Sequence, residues 1–317
     1  MSVRSIPSLY RAITGSGEEA STGTSADAVT DRFYPLTRRV AQLHVEQASS
    51  LMPYTFVWER ENVRFCALWF LFAHIAMAAP GGPSWKTIQA GVDYSSMAVS
   101  GGRLYVVRVD PAVAKITVGL ASETKGQART AAEWCRTAKL AVAINAGMFQ
   151  TDQRSNVGYL RHGTHLNNPK WNDYRSVVAV RPGKVIWLDI DEPKDRERTA
   201  TCDLVIQNLR LMTTKRANVW SANERRWSEA ALAVDHKGRL LFLFSRAPYA
   251  MRDFTNLLLT LPLDIAGAMH LEGGPEASLS IHGGGVDLDL AGSYETGFWD
   301  DSNDHQWAIP NVLGVAK

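Results

Sequence analysis

The sequence has little net charge and few cysteines, and each shortage argues against a class of protein. Its 317 residues include 34 basic and 32 acidic side chains, which leaves a formal net charge of +2. Proteins that bind nucleic acid usually present a clustered basic face, so this balance gives no electrostatic case for such a partner. With only 3 cysteines and no CxxC or His/Cys spacing, the sequence also has no pattern typical of a zinc site.

The sequence has no apolar run of the ~20 residues that a membrane-spanning helix needs. The run at 65–79 is shorter, follows Arg64 and ends in the small-residue pattern Ala76-x-Ala78. A basic residue, a short apolar run and small residues are typical of a secretory signal peptide, which we predict at 64–79. An uncleaved anchor or a buried helix is the alternative. We therefore expect an exported, periplasmic or extracellular protein with no stable membrane span after processing.

The residues before this signal are rich in Ser, Thr and Ala, a composition that rarely buries enough apolar surface to fold. Residues 1–63 are predicted to be an unstructured or wrongly assigned extension, and Met52 would be a better start. Cys66 would leave with the signal. Cys135 and Cys202 would then remain, and they could form one disulfide in an oxidising compartment.

The sequence from residue 80 onward contains no linker, repeat or charged block, so 80–317 is predicted to be a single domain. Glycine-containing turns separate apolar runs at 176–190 and 231–244, which predicts hairpins. Helices are predicted at about 128–138 and 251–259. Many hairpins and few helices indicate an α+β fold, with a mostly antiparallel or mixed sheet and a few packing helices.

Two short segments each carry a polar side chain from an apolar strand into a glycine-containing turn. They are Ala143-Ile144-Asn145-Ala146-Gly147-Met148-Phe149 and His270-Leu271-Glu272-Gly273-Gly274-Pro275-Glu276-Ala277-Ser278-Leu279. A strand end fixes the polar group, and the glycine turn lets a ligand approach the backbone. In this order the segments resemble the phosphodiester glycosidase family, which includes uncovering-enzyme-like N-acetylglucosaminidases and bacterial exopolysaccharide-associated proteins. The resemblance covers about 105–315.

The second motif departs from the family pattern Leu-Asp-Gly-Gly-Gly-Ser at three positions. Glu272 replaces the Asp, Pro275 replaces the third Gly and Glu276 replaces the Ser. Further family-like stretches are Gly292–Glu295 and Ile309–Val315. The resemblance implies a hydrolase that cleaves a glycosyl phosphodiester of an envelope or extracellular glycan. The departures leave two alternatives: a non-catalytic polysaccharide-binding or exopolysaccharide-biosynthesis accessory protein, and metal-dependent cleavage on the phosphorus side.

The resemblance and the residue chemistry together indicate a site. Glu272 is expected to stabilise an oxocarbenium-like centre, Arg246 to bind the phosphate anion and Asn145 to orient the sugar. Each is expected to end an apolar strand, Arg246 at the end of 241–244, and the three are expected to converge on one cleft. The predicted substrate-binding residues are Gly147, Gly273, Gly274, Glu276, His162 and Tyr294.

Each of these residues also has a structural interpretation. Asn145 could cap a turn, Arg246 could form a surface salt bridge, and Glu272 could be a solvated turn residue. Glu276 could be the second carboxylate of a glycosidase pair, a ligand of Ca²⁺ or Mg²⁺ together with Glu272, or a residue with no role. His162 could line a sugar cleft from a loop. A carbohydrate or sugar phosphate is the expected partner, and the sequence assigns no metal.

Overall fold

The computed structural model describes residues 82–124, 126–297 and 301–317 of the chain. The predicted extension at 1–63 and the predicted signal peptide at 64–79 lie outside these residues. Within the described ranges, no helix combines the length and the apolar character that crossing a membrane requires.

The described chain is built mainly of strands. In chain order they are β1 (Lys86–Gln89), β2 (Val92–Val99), β3 (Gly102–Val109), β4 (Ile116–Leu120), β5 (Leu140–Asn145), β6 (Leu160–His162), β7 (His165–Asn168), β8 (Ser176–Arg181), β9 (Lys184–Asp189), β10 (Leu204–Met212), β11 (Trp227–Asp235), β12 (Leu240–Tyr249), β13 (Ile265–Gly273), β14 (Ser278–Gly283), β15 (Val286–Ala291) and β16 (Asn311–Ala316). The α-helices are α1 (Ala131–Thr137) and α2 (Met251–Thr260), and short 3-10 turns lie at Ala121–Glu123, Pro193–Thr199 and Gly274–Glu276.

These strands form two antiparallel sheets with few helices, so the fold is broadly α+β and mostly β, with two sheets where the sequence predicted one. The larger sheet has 11 strands in the order β1-β2-β3-β12-β11-β13-β10-β6-β7, with β8 also paired to β10 and β9 added beyond β8. The smaller sheet has 5 strands in the order β15-β14-β5-β16-β4. The predicted hairpins are the pairs β8–β9 and β11–β12.

The two sheets pack face to face over a shared apolar core. Phe242 and Leu271 of the larger sheet belong to the same buried cluster as Ile144, Leu279 and Leu313 of the smaller sheet. Side chains alternate between the two faces of a strand, and those that point to this interface are apolar. The core therefore fixes the register of β13 and of β5, the two strands that carry the sequence motifs.

One helix covers the outer face of each sheet. Met251, Phe254 and Leu258 of α2 pack in one cluster with residues of β3, β11 and β12. In α1, Trp134 and Cys135 pack against β5 and β16. One helix thus packs on the outer face of each sheet, against part of the larger sheet and against β5 and β16 of the smaller one.

Helix α1 is shorter than the sequence predicts, because its first turn is closed by a capping box. The Thr130 hydroxyl accepts from the Glu133 N–H over 3.1 Å, and the Glu133 carboxylate accepts from the Thr130 N–H over 3.0 Å. Such reciprocal bonds satisfy the free N–H groups of a helix start. The helix therefore begins at Ala131 rather than near residue 128.

Strand β12 is longer than the sequence predicts, and this changes the position of Arg246. The strand continues to Tyr249, so Arg246 lies inside it rather than at its end. Trp227 pairs with Tyr249 and Glu229 pairs with Ser245, which leaves extra residues on β12 opposite Ser228. Arg246 belongs to this bulge. Bulges are common at sheet edges and beside active sites, where they change the direction in which a side chain points.

The two cysteines of the described region are free thiols. Cys135 is buried in the cluster between α1 and the smaller sheet, and Cys202 is buried in a separate cluster with residues of β8, β9 and β10. The disulfide that the sequence allows is therefore not formed between them. Burial raises the pKa of the Cys135 thiol to about 12, so this group is a neutral apolar filler at physiological pH.

Candidate active site

The chain passes from one sheet to the other at the second sequence motif. Strand β13 of the larger sheet ends at Gly273, the 3-10 turn Gly274–Glu276 follows, and β14 begins the return through the smaller sheet. Strand β5 lies beside β14, with Ile144 opposite Leu279. The two motifs, far apart in sequence, therefore meet at this crossing.

Asn145 holds the crossing turn in place. Its side-chain N–H donates to the carbonyl oxygen of Glu276 over 3.0 Å, and its side-chain oxygen accepts from the Ser278 N–H over 2.8 Å. The side chain is 1% exposed. Both of its polar ends are thus used by the backbone on either side of Ala277, which gives Asn145 a positioning role in the turn.

Glu272 is buried inside β13 rather than solvated at a turn. It pairs with Ala230 of β11 and is 1% exposed. One carboxylate oxygen accepts from the Gly273 N–H over 3.2 Å, and the other, Oε2, has no hydrogen-bond partner among the described residues. A buried polar atom without a partner costs about 1–3 kcal/mol, so Oε2 is a strong candidate for contact with a ligand.

Three further carboxyl groups surround Glu272 and favour its neutral form. Burial raises the pKa of Glu272 well above its usual range, and the nearby carboxyls of Glu276, Glu295 and Glu229 raise it further. Burial also raises the pKa of Glu276 to about 7, with Glu295 adding to the effect. The cluster can therefore hold protons near neutral pH and act as a hydrogen donor.

Glu295 joins this cluster from the segment after β15, and Arg225 opposes the effect of burial on it. Burial raises the pKa of Glu295, while the charge of Arg225 lowers it. A Cβ atom added to Gly274 would lie 3.0 Å from Oε2 of Glu295, so that carboxyl group sits against the crossing turn. Glu295 pairs with Trp227 through an isolated bridge, which fixes the segment.

Glycine at position 147 makes room for two carboxamides. Its φ is +153°, and a Cβ added there would lie 2.3 Å from Oδ1 of Asn208 and 2.8 Å from Oδ1 of Asn156. Both oxygens are buried without a hydrogen-bond partner among the described residues. Asn208 also donates to the Ala146 carbonyl oxygen over 2.8 Å. Gly147 thus permits a close approach of protein side chains.

The open backbone expected at Gly273 and Gly274 is not found. A Cβ added to Gly273 would lie 2.5 Å from the Trp227 ring, and Gly274 faces Glu295. These glycines accommodate the side chains of Trp227 and Glu295, and the residues of the turn are buried. The ligand contact predicted for Gly273 and Gly274 therefore has to come through the side chains around them.

Arg246 contacts the end of β15 and the segment after it, which flank the crossing turn. Its guanidinium donates to the carbonyl oxygens of Ala291 (3.2 Å) and Asn303 (2.9 Å) and lies 3.3 Å from the Asp301 carboxylate. The side chain is 43% exposed. Asp301 balances part of its positive charge, as in the surface salt bridge that was the alternative interpretation. The rest of the guanidinium is exposed to solvent.

Tyr294 belongs to the same flanking segment and is half-buried. Its backbone N–H donates to the Ser228 hydroxyl over 3.1 Å, and its carbonyl oxygen accepts from the Ser228 N–H over 2.8 Å. The Ser228 hydroxyl itself donates to the Arg246 carbonyl oxygen over 2.6 Å. Ser228 therefore links the strand of Arg246 to the segment of Tyr294.

His162 lies away from this crossing. It pairs with Leu204 on β10, whereas His270 pairs with Leu209 on the same strand. Leu204 and Leu209 are five residues apart, so these two positions on β10 are separated by about 16 Å. His162 forms an ion pair with Glu123 at 3.2 Å and lines a separate cavity of about 490 Å³. The structure therefore does not bring His162 to the carboxyl cluster.

Sequence reasoning missed three titratable members of the site. Glu229 begins the buried apolar run of β11, His270 immediately precedes Leu271 and Glu272, and Glu295 follows Tyr294. A charged residue within a run of buried apolar residues was the available signal for Glu229. Cross-strand pairing, which a single sequence does not reveal, brings His270 against Glu229 and brings Glu229 and Glu295 close enough to raise the pKa of Glu272.

A possible Ca²⁺ or Mg²⁺ site at Glu272 and Glu276 was left open by the sequence. Among residues 82–124, 126–297 and 301–317, no group of three or more His, Cys, Asp and Glu side chains is arranged to hold a metal ion.

Comparison with known proteins identifies relatives of this fold. The profile of the phosphodiester glycosidase family matches residues 138–316, a region that contains both motifs. No curated protein gives a significant match to the sequence. The catalytic domain of zebrafish N-acetylglucosamine-1-phosphodiester alpha-N-acetylglucosaminidase, described as auto-inhibited by its pro-peptide, is a solved structure with a TM-score of 0.51 and 14% identity, covering 73% of this chain and 83% of that one.

A hypothetical protein from Synechocystis has a similar fold. Its crystal structure gives a TM-score of 0.55 at 14% identity and covers 72% of this chain. The match extends over 63% of the Synechocystis protein, which is less than two thirds of its length. At this level of identity the two solved structures show a shared fold.

Proposed function

This chain belongs to the phosphodiester glycosidase family, and on that premise we propose that it is an exported hydrolase of glycosyl phosphodiesters. The bond it cleaves joins the anomeric carbon of a sugar to a phosphodiester oxygen. The substrate belongs to an envelope or extracellular glycan. The products are a free sugar and a phosphomonoester.

The buried carboxyl group of Glu272 is the observation that carries this proposal. Its Oε2 atom is buried and has no hydrogen-bond partner among residues 82–124, 126–297 and 301–317, and burial raises the pKa of the group. A neutral carboxyl group can donate a proton to the leaving oxygen, as the raised-pKa acid of a glycosidase does. Glu272 is therefore assigned as the general acid, a different role from the charged stabiliser expected from the family resemblance and the residue chemistry.

The protonated cluster also explains how a carboxyl-rich site accepts an anion. An ionised Glu272 or Glu276 would repel a phosphodiester, whereas the neutral forms donate hydrogen bonds to its oxygens. Arg246 would add positive charge at the flanking segment, even though Asp301 balances part of it. Anion binding and acid catalysis thus require the same protonated state.

A product analysis tests the reaction. The purified protein is incubated with a panel of aryl and alkyl sugar phosphodiesters, headed by N-acetylglucosamine 1-phosphodiesters because the zebrafish relative is named for that substrate. We expect free sugar and phosphomonoester. Sugar phosphate and free alcohol would instead indicate cleavage on the phosphorus side, and glycan binding without turnover would indicate an accessory protein.

Two variants connect the reaction to the site. Glu272→Gln keeps the shape of the side chain and removes the acidic proton, so turnover should fall by about 100-fold or more. Glu224→Gln, at an exposed position outside the cluster, is the matched control and should retain full activity. A fully active E272Q protein would remove Glu272 from the mechanism.

Export is a separate part of the proposal and has its own test. The motivation is the signal-like sequence at 64–79. We expect the secreted or periplasmic protein to begin close to residue 80 when its N-terminus is sequenced. A cytosolic protein that retains 64–79 would contradict export and leave the assignment of Glu272 unaffected.

A further inference from the structure

A cavity of about 510 Å³ lies beside β9, an edge strand of the larger sheet, and the proposed reaction does not use it. It is lined by the end of β9, by the 3-10 turn Pro193–Thr199 and by the segment that follows β10. Among the described residues, none that lines it belongs to the carboxyl cluster at the crossing turn. Sites for small ligands have volumes of about 300–1,000 Å³, so this cavity has the size of a binding site.

Trp187 lines this cavity and is held in a fixed orientation. A Cβ added to Gly267 of β13 would lie 2.7 Å from Nε1 of Trp187, so the nitrogen edge of the indole lies directly against the backbone of that strand. Trp187 also packs against the core between the sheets and is partly buried. A ring held in this way is a rigid apolar surface, so a ligand that packs on it loses little side-chain entropy of the protein.

Asp189 gives the cavity a buried acceptor without a hydrogen-bond partner. Its Oδ2 accepts from the N–H and from the hydroxyl of Thr214, each over 2.8 Å. Its Oδ1 has no hydrogen-bond partner among the described residues, and neither does Nε of Arg210, which lies 3.4 Å away. The two side chains are 12% and 10% exposed. Asp189 is therefore fixed through Oδ2, while Oδ1 keeps its capacity to accept from a ligand.

The cavity carries charges of both signs. The charged residues that line it are three acidic and two basic side chains: Asp189, Asp191, Asp195, Arg198 and Lys215. Arg210 and Arg175 add positive charge through ion pairs with Asp191, at 2.9 Å and 3.8 Å. Since neither sign dominates, the electrostatic field of the cavity does not select an ion.

This mixture favours a neutral polyhydroxylated ligand over a metal ion or an anion. A cation such as Ca²⁺ requires several oxygens directed at one point, and the described ranges contain no group of His, Cys, Asp and Glu arranged in that way. An anion would meet the free oxygen of Asp189. A sugar hydroxyl donates to a carboxylate and accepts from Arg or Lys, and the apolar face of a sugar ring packs on an indole.

We propose that this cavity, with Trp187 and Asp189 as its main contacts, binds a neutral sugar residue of the glycan away from the bond that is cleaved. That the glycan is also the substrate rests on the proposed function. Arg210, the ion-pair partner of Asp189, pairs with Met269 of β13, three residues or about 10 Å along the strand from Glu272. Contacts remote from the reacting bond add binding energy for a long substrate that a short one does not receive.

The indole signal of Trp187 reports binding without turnover. In full-length protein labelled with ¹⁵N-tryptophan, this signal is the one lost in the Trp187→Phe variant. The probes are neutral trisaccharides of glucose, galactose, mannose and N-acetylglucosamine. We expect at least one of them to shift the signal saturably and to leave that of Trp85 unchanged. Trp85, a partly buried tryptophan next to β1 at the other end of the sheet, is the matched control. No shift with any trisaccharide would overturn the proposal.

Calorimetric titration of variants separates a sugar site from an anion site. Trp187→Ala and Asp189→Asn should each weaken binding of the trisaccharide by about 10-fold or more. Asp189→Asn keeps the shape of the side chain, and it decides the test if Trp187→Ala does not fold. Asp264→Asn, at an exposed aspartate paired with His236, is the control and should bind as the parent does. Parental affinity in D189N would overturn the proposal. So would saturable binding of inorganic phosphate that Lys215→Gln abolishes, with no trisaccharide bound.

Kinetics distinguish this proposal from the proposed hydrolase. The measured quantity is the ratio of kcat/KM for an oligosaccharide phosphodiester to that for an aryl monosaccharide phosphodiester. Asp189→Asn should lower this ratio by about 10-fold, whereas Asp264→Asn should keep the ratio of the parent. An unchanged ratio in D189N would overturn the proposal and keep the hydrolase. A parent that hydrolyses nothing, but whose Trp187 signal still shifts with a trisaccharide, would reject the hydrolase and support the sugar site.

Discussion

The side-chain amide of Asn145 donates to the carbonyl oxygen of Glu276 over 3.0 Å, although 131 positions separate the two residues. Together with the bond from the Ser278 N–H to Asn145, it connects the end of β5 to the crossing turn. The first sequence motif thus supports the second. A role of Asn145 in contacting sugar stays a prediction, since both polar ends of this side chain already have backbone partners.

Replacement of Asn145 should destabilise the protein before it affects chemistry. Asn145→Ala leaves a buried carbonyl oxygen and a buried N–H without partners, so the unfolding free energy should fall by about 2–4 kcal/mol. Urea denaturation measures this change. Asn223→Ala removes a turn-forming asparagine from an exposed loop and should change stability by less than about 0.5 kcal/mol. Equal stability of N145A and the parent would contradict the positioning role.

Much of the fold could be predicted from the sequence because hairpins and amphipathic helices leave local patterns. The β8–β9 and β11–β12 hairpins and helix α2 lie close to their predicted positions. The start of α1 depends on side-chain contacts of Thr130 and Glu133, and the end of β12 depends on a bulge opposite Ser228. Both are set by contacts that periodicity does not encode.

The site could be predicted only in part. The motif resemblance points to Glu272, but the two glycines that follow it pack against Trp227 and Glu295, which are distant in sequence. An acidic side chain before two glycines looks exposed when it is considered alone. The sequence placed His162 on a loop, whereas it ends β6 and pairs with Leu204 of β10. Nothing in the local sequence indicates which end of β10 this histidine lies beside.

Substitution of Gly147 should show that this glycine is required by close packing. Gly147→Ala would bring a methyl group within 2.3 Å of the Asn208 carboxamide at a φ of +153°. We expect a loss of about 1–3 kcal/mol in unfolding free energy. Gly163→Ala is the control, because φ is +56° there and nothing lies within 4 Å of the added carbon. A similar loss in both variants would assign the cost to backbone conformation alone.

The buried thiols should resist modification in the native protein. In a Cys66→Ser variant, neither Cys135 nor Cys202 should react with a thiol reagent at pH 8, because both side chains are buried. Two thiols per chain should react after denaturation without reductant. A count of zero after denaturation would reveal a disulfide and contradict the separate clusters in which these cysteines lie.

The raised pKa values predict how stability depends on pH. A carboxyl group whose pKa is higher in the folded state binds its proton more tightly there, so stability is greatest below the unfolded pKa and is lost as the pH rises. For Glu276 the pKa rises from 4.5 to about 7, which corresponds to about 3 kcal/mol. The unfolding free energy of the parent should therefore fall between about pH 4.5 and 7, and Glu272 should extend the decline to higher pH.

Neutral substitutions should remove this decline. Glu276→Gln should flatten the fall in unfolding free energy between about pH 4.5 and 7, because an amide carries no charge to bury. Glu272→Gln should be at least as stable as the parent above pH 7 for the same reason. Urea denaturation at a series of pH values measures both effects, with Glu224→Gln as the exposed control that follows the parent. If E276Q and E272Q also follow the parent at every pH, the carboxyl cluster does not hold protons near neutrality, and the assignment of Glu272 as an acid loses its physical basis.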